Sequence, residues 1–144
     1  MPRALVDTTV LFAAAYRRDG AHDDALPILT GIDAGDLPEA VVLDYVLAET
    51  LNGLTTHAGH DAAVDFLDRV EANERFHVAS LTADAFATTK SIFRQYDRFS
   101  FVDAAVVAYA QAEEFDYLYA FDDDFEAASD IYRLDTPTNP YSPT

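Results

Sequence analysis

Ala4-Leu5-Val6-Asp7-Thr8-Thr9-Val10-Leu11-Phe12-Ala13-Ala14-Ala15 is the stretch whose reading decides the architecture of this 144-residue chain. Ala4 to Val6 are continuously apolar, as in a strand buried on both faces, and Asp7 ends the run. Thr8-Thr9 make the turn, and the following apolar residues have the length and composition of a helix that stops near Arg17, Arg18 and Gly20. A buried strand leading straight into a helix is the opening unit of an α/β fold. Asp7 abuts both apolar segments, where a solvating charge would not be placed. It is therefore a candidate for chemistry.

The same alternation continues outward. A helical pattern covers residues 21–32, with Gly35 just beyond, and Ala40 to Leu43 reads as a second strand. Asp44 is expected to cap a helix with Leu47, Thr50, Leu51 and Leu54 on one face, and residues 53–59 read as a loop or frayed end. Ala63, Phe66, Leu67 and Val70 mark the next helix, and Phe76 to Leu81 a third strand. Thr82 is the N-cap of a helix through Phe86, Thr89 and Phe93. Ser100 precedes a very apolar helix over 101–112, Tyr117 to Phe121 form a fourth strand, and Ile131 to Leu134 a short fifth. The expected fold is a three-layer α/β/α domain over residues 1–135, with a mainly parallel sheet of four to five strands. Residues 136–144, rich in proline, read as an extended tail.

Composition bounds the function. There is no cysteine, so disulfides and thiolate metal sites are excluded, and any metal must bind oxygen or imidazole. No run reaches the roughly 20 apolar residues of a membrane helix, and no signal peptide is visible, so a cytoplasmic location is expected. The 26 acidic residues against 9 basic ones give a formal charge of −17. They are spread along periodic apolar segments rather than blocked into a tail, and Lys90 is the only lysine. Such a surface suits high salt, where the screening length falls to about 3 Å at 1 M, and a halophilic archaeal host is expected. In so acidic a chain a lone Asp carries little information; only an acid in apolar company is a signal.

Asp7 is one such acid, and Asp103, between Phe101-Val102 and Ala104-Ala105, is another. Glu49 falls in the helix after the second strand, and Asp122 ends the fourth strand. Ligands of parallel sheets gather beyond the carboxyl ends of the strands, which would bring these positions to one edge. Clustered carboxylates repel unless a cation lies between them, and oxygen ligands suit Mg²⁺ or Mn²⁺. The reaction class this points to is metal-assisted phosphodiester hydrolysis. Three of the acids also have a plain explanation: Ser100-x-x-Asp103 is a capping-box pattern, Asp122-Asp123-Asp124 a solvated turn, and Glu49 an exposed helix residue.

The four positions together resemble the motifs of PIN-domain nucleases. Leu5-Val6-Asp7-Thr8-Thr9-Val10-Leu11 is similar to the family's opening strand and Asp-Thr-Ser/Asn turn, and Leu47-Ala48-Glu49 to its helical Glu motif. Phe99-Ser100-Phe101-Val102-Asp103-Ala104 departs from the common Leu-Ser-Phe-Val-Asp-Ala only at Phe99. Ala120-Phe121-Asp122-Asp123-Asp124-Phe125 resembles the last motif, often Thr-x-Asp-x-Asp-Phe. The departures are Thr9, whose hydroxyl can still orient an acid, and Ala120, which lacks the usual hydroxyl near Asp122.

A lone domain of this kind resembles VapC-type toxins of toxin–antitoxin pairs. The resemblance implies Asp7 and Asp103 as the Mg²⁺ or Mn²⁺ ligands, with Glu49 and Asp122 completing a catalytic quartet. Thr9, Ser100 and Asp124 are the auxiliary positions. It further implies an RNA substrate, a small antitoxin lying across the cleft, and a homodimer. An RNA-processing nuclease without an antitoxin and a catalytically silent binding module are the alternatives.

Basic residues are scarce. Arg17 and Arg18, then Lys90, Arg94 and Arg98, either rim the cleft or form solvated helix ends. His57 and His60 lack a third ligand nearby and read as a polar loop. Tyr96 and Phe99, on the approach to Asp103, are the aromatic candidates for base stacking, while the other Tyr and Phe residues at helical spacing are expected in the core. A dehalogenase-type phosphatase is excluded because position 9 is Thr where a second Asp is required.

Overall fold

In the computed structural model, which describes residues 2–142, the opening stretch forms β1 (Arg3–Val6), Asp7, and α1 (Thr8–Ala15). There follow α2 (His22–Ala34), β2 (Glu39–Leu43), α3 (Asp44–Ala58), α4 (His60–Ala72), β3 (Phe76–Ala79), α5 (Ala83–Gln95), α6 (Phe101–Ala112), β4 (Tyr117–Tyr119), a 3₁₀ turn (Asp123–Ala127) and β5 (Tyr132–Leu134). The strands are paired in the order β3-β2-β1-β4-β5 and every pair is parallel. The chain moves outward from β1 through β2 to β3, then returns to the other side of β1 for β4. Right-handed crossovers consequently send α1–α4 to one face and α5–α6 to the other.

Strand sequence explains strand position. β1 and β2 are buried along almost their whole length, as central parallel strands must be. β3, at the edge, leaves His77 and Val78 exposed. Tyr119, Phe125, Leu5, Leu11, Ile28 and Leu43 are fully buried between the layers. Fully burying a side chain of this kind is worth about 1.5–3 kcal/mol.

Several expectations are corrected. The stretch 53–59 is not a loop: α3 continues to Ala58 and ends only at Gly59, whose φ of +100° suits glycine. Gly53 belongs to the helix because a Cβ there would lie 3.1 Å from the Phe12 ring, so its small size sets the close approach of α3 to α1. Asp44 is the first residue of α3, and Leu43 is the N-cap. The Asp44 carboxylate instead accepts the Leu81 N–H at 3.2 Å, tying the segment after β3 to the start of α3. Phe86 and Phe93 face outward on α5 at 37% and 45% exposure, because Ala85, Thr89 and Ile92 form its buried stripe.

The tail lies along the opposite edge of the sheet from the acids. The Tyr119 hydroxyl donates to Thr138 O at 2.7 Å, Asn139 Nδ2 to Asp36 O at 3.1 Å, and the Tyr141 hydroxyl to Arg3 O at 3.2 Å. The last two residues of the expected tail, 143 and 144, lie outside the described residues.

Candidate metal centre

Sheet order creates the site. The chain reverses direction between β1 and β4, and a crevice opens beyond the carboxyl ends of those strands. Asp7 follows β1 there and Asp122 lies three residues beyond β4. The two segments are joined: Asp7 N–H donates to Tyr119 O at 2.9 Å, extending the ladder by one rung. The Thr9 hydroxyl donates to Asp7 Oδ2 at 2.7 Å and accepts the Phe121 N–H at 3.0 Å. Thr9 therefore fixes the first acid and ties it to the approach to Asp122.

α3 brings Glu49 and α6 brings Asp103 to the same crevice. A cleft of about 510 Å³ is lined by Asp7, Thr9, Glu49, Ser100, Asp103 and Asp122. The structure thus brings together all four acids singled out in the sequence. Asp124 is not on the cleft wall; its N–H donates to Asp122 Oδ1 at 2.9 Å, which caps the 3₁₀ turn and orients Asp122. Among the described residues the only three acids with oxygens all within 4.8 Å of one another are Asp122, Asp123 and Asp124. No three of the four cleft acids come that close, as expected of like charges facing one another across open space.

Asp103 shows that capping and site chemistry are compatible. Ser100 Oγ accepts the Asp103 N–H at 3.1 Å and Asp103 Oδ2 accepts the Ser100 N–H at 3.2 Å, a complete capping box. No hydrogen bond engages Oδ1 among the described residues. Burial raises the Asp103 pKa, the Ser100 hydrogen bonds oppose the rise, and the charges of Asp122 and Glu49 add to it.

Asp7 is only 2% exposed. Desolvation pushes its pKa up to about 7, against the hydrogen bonds from Thr9, and the Asp103 charge contributes to the rise. Its Oδ1 is buried without any hydrogen-bond partner. An orphaned carboxylate oxygen in a polar cleft normally has a counterpart, because leaving it unmade costs about 1–3 kcal/mol. A hard divalent cation is such a counterpart, and the donors around it are all oxygen. The residues lining the cleft therefore fit a hard divalent cation.

Other candidates fall elsewhere. Among the described residues no basic side chain lines the cleft. Arg17 lines a separate groove between α1, α2 and α4, and Lys90 sits 5.2 Å over the Phe86 ring. Phe99 is 3% exposed and stacks on Tyr96 and Phe125 at 5.3 and 6.1 Å, so it is core and offers no base-stacking face. His57 and His60 belong to α3 and α4 rather than to a loop, and His57 packs against Phe12 and Tyr16. One lining acid escaped the sequence reading: Asp19, in the turn between α1 and α2. It follows two arginines at a helix end, and nothing in its apolar spacing marks it out.

A family model described as PIN domain matches residues 4–131. Among solved structures the chain is similar to VapC20 of Mycobacterium tuberculosis, a sarcin–ricin loop cleaving toxin. The identity is 27% and the TM-score 0.78, over 95% of this chain and 99% of that one. VapBC2 from Rickettsia felis, bound to a DNA fragment from its promoter, aligns at 15% identity and TM-score 0.66 over 92% and 97% of the two chains. A toxin–antitoxin complex from Klebsiella pneumoniae aligns at 18% identity and TM-score 0.61 over 94% and 98%. These last two likenesses speak to the fold alone. No curated protein matches the sequence.

Proposed function

We propose, from the premise that this chain belongs to the PIN-domain family, that it is a Mg²⁺- or Mn²⁺-dependent endoribonuclease and the toxin of a toxin–antitoxin pair. The observation that carries the reading is Asp7 Oδ1, buried and unpartnered in a cleft whose polar side chains are all oxygen donors. The likeness to VapC20, a sarcin–ricin loop cleaving toxin, supports RNA as the polymer.

In this reading Asp7 and Asp103 hold the cation, which when bound supplies positive charge to a scissile phosphate and acidity to a water. Thr9 keeps Asp7 Oδ2 occupied, so that Oδ1 is the oxygen presented to the cation. The capping box does the same at Asp103 by engaging Oδ2. Glu49 is exposed on the wall and makes no hydrogen bond among the described residues, so its carboxylate is free to take a proton from the attacking water. Asp122, oriented by the Asp124 N–H, closes the other side.

The partners follow from the surface. A cleft lined by acids and no base suits an antitoxin segment that carries Arg or Lys into it. The outward rings of Phe86 and Phe93, in contact with Phe101 and through it with Tyr45, leave an aromatic face that a second copy would cover in a homodimer. No described helix is long and apolar enough to cross a membrane, and a cytoplasmic site of action in a salt-rich host fits the charge.

Purified protein in high salt should cleave RNA with Mn²⁺ and stop on addition of EDTA. Its expression should arrest growth, with rescue by the product of a small neighbouring gene. Cleavage indifferent to EDTA would remove the mechanism, and harmless expression of an active protein would remove the toxin role.

A further inference from the structure

We propose that Asp19 is a fifth carboxylate of the cation-binding cleft, accepting hydrogen bonds from the waters a divalent cation keeps. The proposal rests on the reading of the cleft as a cation site. Asp19 reaches the wall from the turn between α1 and α2, an element that supplies none of the other four acids.

Its position is set by the backbone on both sides. The Asp19 N–H donates to Tyr16 O at 3.1 Å, and its carbonyl accepts the His22 N–H at 3.0 Å. His22 Nδ1 lies 2.8 Å from Ala13 O, which anchors the start of α2 to α1. Asp19 Oδ1 accepts the Ala21 N–H at 2.8 Å, leaving Oδ2 without a hydrogen bond among the described residues. The simplest account is a turn-closing cap. A cap, however, needs only an acceptor oxygen, and Asn or Ser would serve as well. It accounts for Oδ1 and requires no charge.

The charge makes sense from the cleft. Asp7 Oδ1 is buried there with no partner, an independent sign that something positive belongs in the space. Five carboxylates and no basic residue line it, more negative charge than one divalent ion offsets. Mg²⁺ and Mn²⁺ take few direct carboxylates and keep several waters, whose protons need acceptors farther out. Asp19 Oδ2 is an acceptor of that kind, on a half-buried and hydrogen-bonded turn.

The test is Mn²⁺ titration calorimetry on the full chain, stripped with EDTA and dialysed into on the order of 1 M KCl so that distant charges are screened. Asp19→Asn and Asp19→Ser, which both keep a capping oxygen, should retain the wild-type unfolding temperature and weaken Mn²⁺ binding by about three- to tenfold. Asp7→Asn, run alongside, should abolish binding. Wild-type affinity in both Asp19 variants, with binding lost in Asp7→Asn, would overturn the role of Asp19 and leave the site standing. Undiminished binding in Asp7→Asn, or none in the wild type, would overturn both.

Discussion

Asp7 ties the stability of the protein to its chemistry. Burial raises its pKa from 3.8 to about 7, so between those values the folded chain holds a proton that the unfolded chain releases. The stabilisation from the protonated acid is complete below about 3.8 and is lost as the pH rises through 7. In EDTA, therefore, Asp7→Asn should gain on wild type as the pH is raised from about 5 to about 8, by roughly 2–4 kcal/mol in urea unfolding. A gap that stays constant with pH would show that burial of the charge is not its cause. Thr9 is the second residue to test. Thr9→Val removes a hydroxyl that both donates to Asp7 and accepts from Phe121, and should cost about 1–3 kcal/mol in thermal unfolding. The burial of Asp7 was legible because an acid between two apolar segments has no solvation role there. Asp19 was not legible, because its neighbours are a turn and two arginines and only the folded chain shows which way the turn faces the cleft.

Among the elements, α6 links the core to the cleft. It is buried from Ala104 to Ala110, and its N-terminus presents Asp103. Ser100→Ala breaks the capping box and should lower stability by about 1 kcal/mol. It should also weaken Mn²⁺ binding, since it loosens the turn that presents Asp103; calorimetry on the folded variant checks this. Most strands and helices could be read from apolar spacing because that spacing reports what each face buries. The failures have specific causes. Gly53 and the polar residues after it looked like a break in α3, but only the ring of Phe12, forty-one residues earlier, reveals why a glycine sits inside the helix. Phe86 and Phe93 follow helical spacing on α5, yet the smaller Ala85 and Thr89 with Ile92 are what the neighbouring layer accommodates. Composition could not say which of two stripes faces inward. Asp44 precedes an apolar helix as an N-cap would, and the Leu81 N–H that claims its carboxylate is a tertiary contact.

The whole molecule is governed by a charge of −17 spread over one domain. Only three arginine–carboxylate ion pairs are formed among the described residues, two of them by Arg133, so most acids face water without a counter-charge. The unfolding temperature should rise steeply as KCl is increased from about 0.1 M toward several molar, because screening removes self-repulsion. A flat response would remove the case for a halophilic host. The aromatic face of α5 bears on assembly: Phe86→Glu with Phe93→Glu should turn the proposed homodimer into a folded monomer in sedimentation. Asp103→Asn tests most directly whether Asp7 and Asp103 hold a cation for RNA cleavage, since the amide oxygen can keep the capping bond to the Ser100 N–H while the charge is removed. Single-turnover RNA cleavage with Mn²⁺ should fall to the level of the EDTA-treated wild type, with the unfolding temperature unchanged. Cleavage by Asp103→Asn at the wild-type rate would contradict the account.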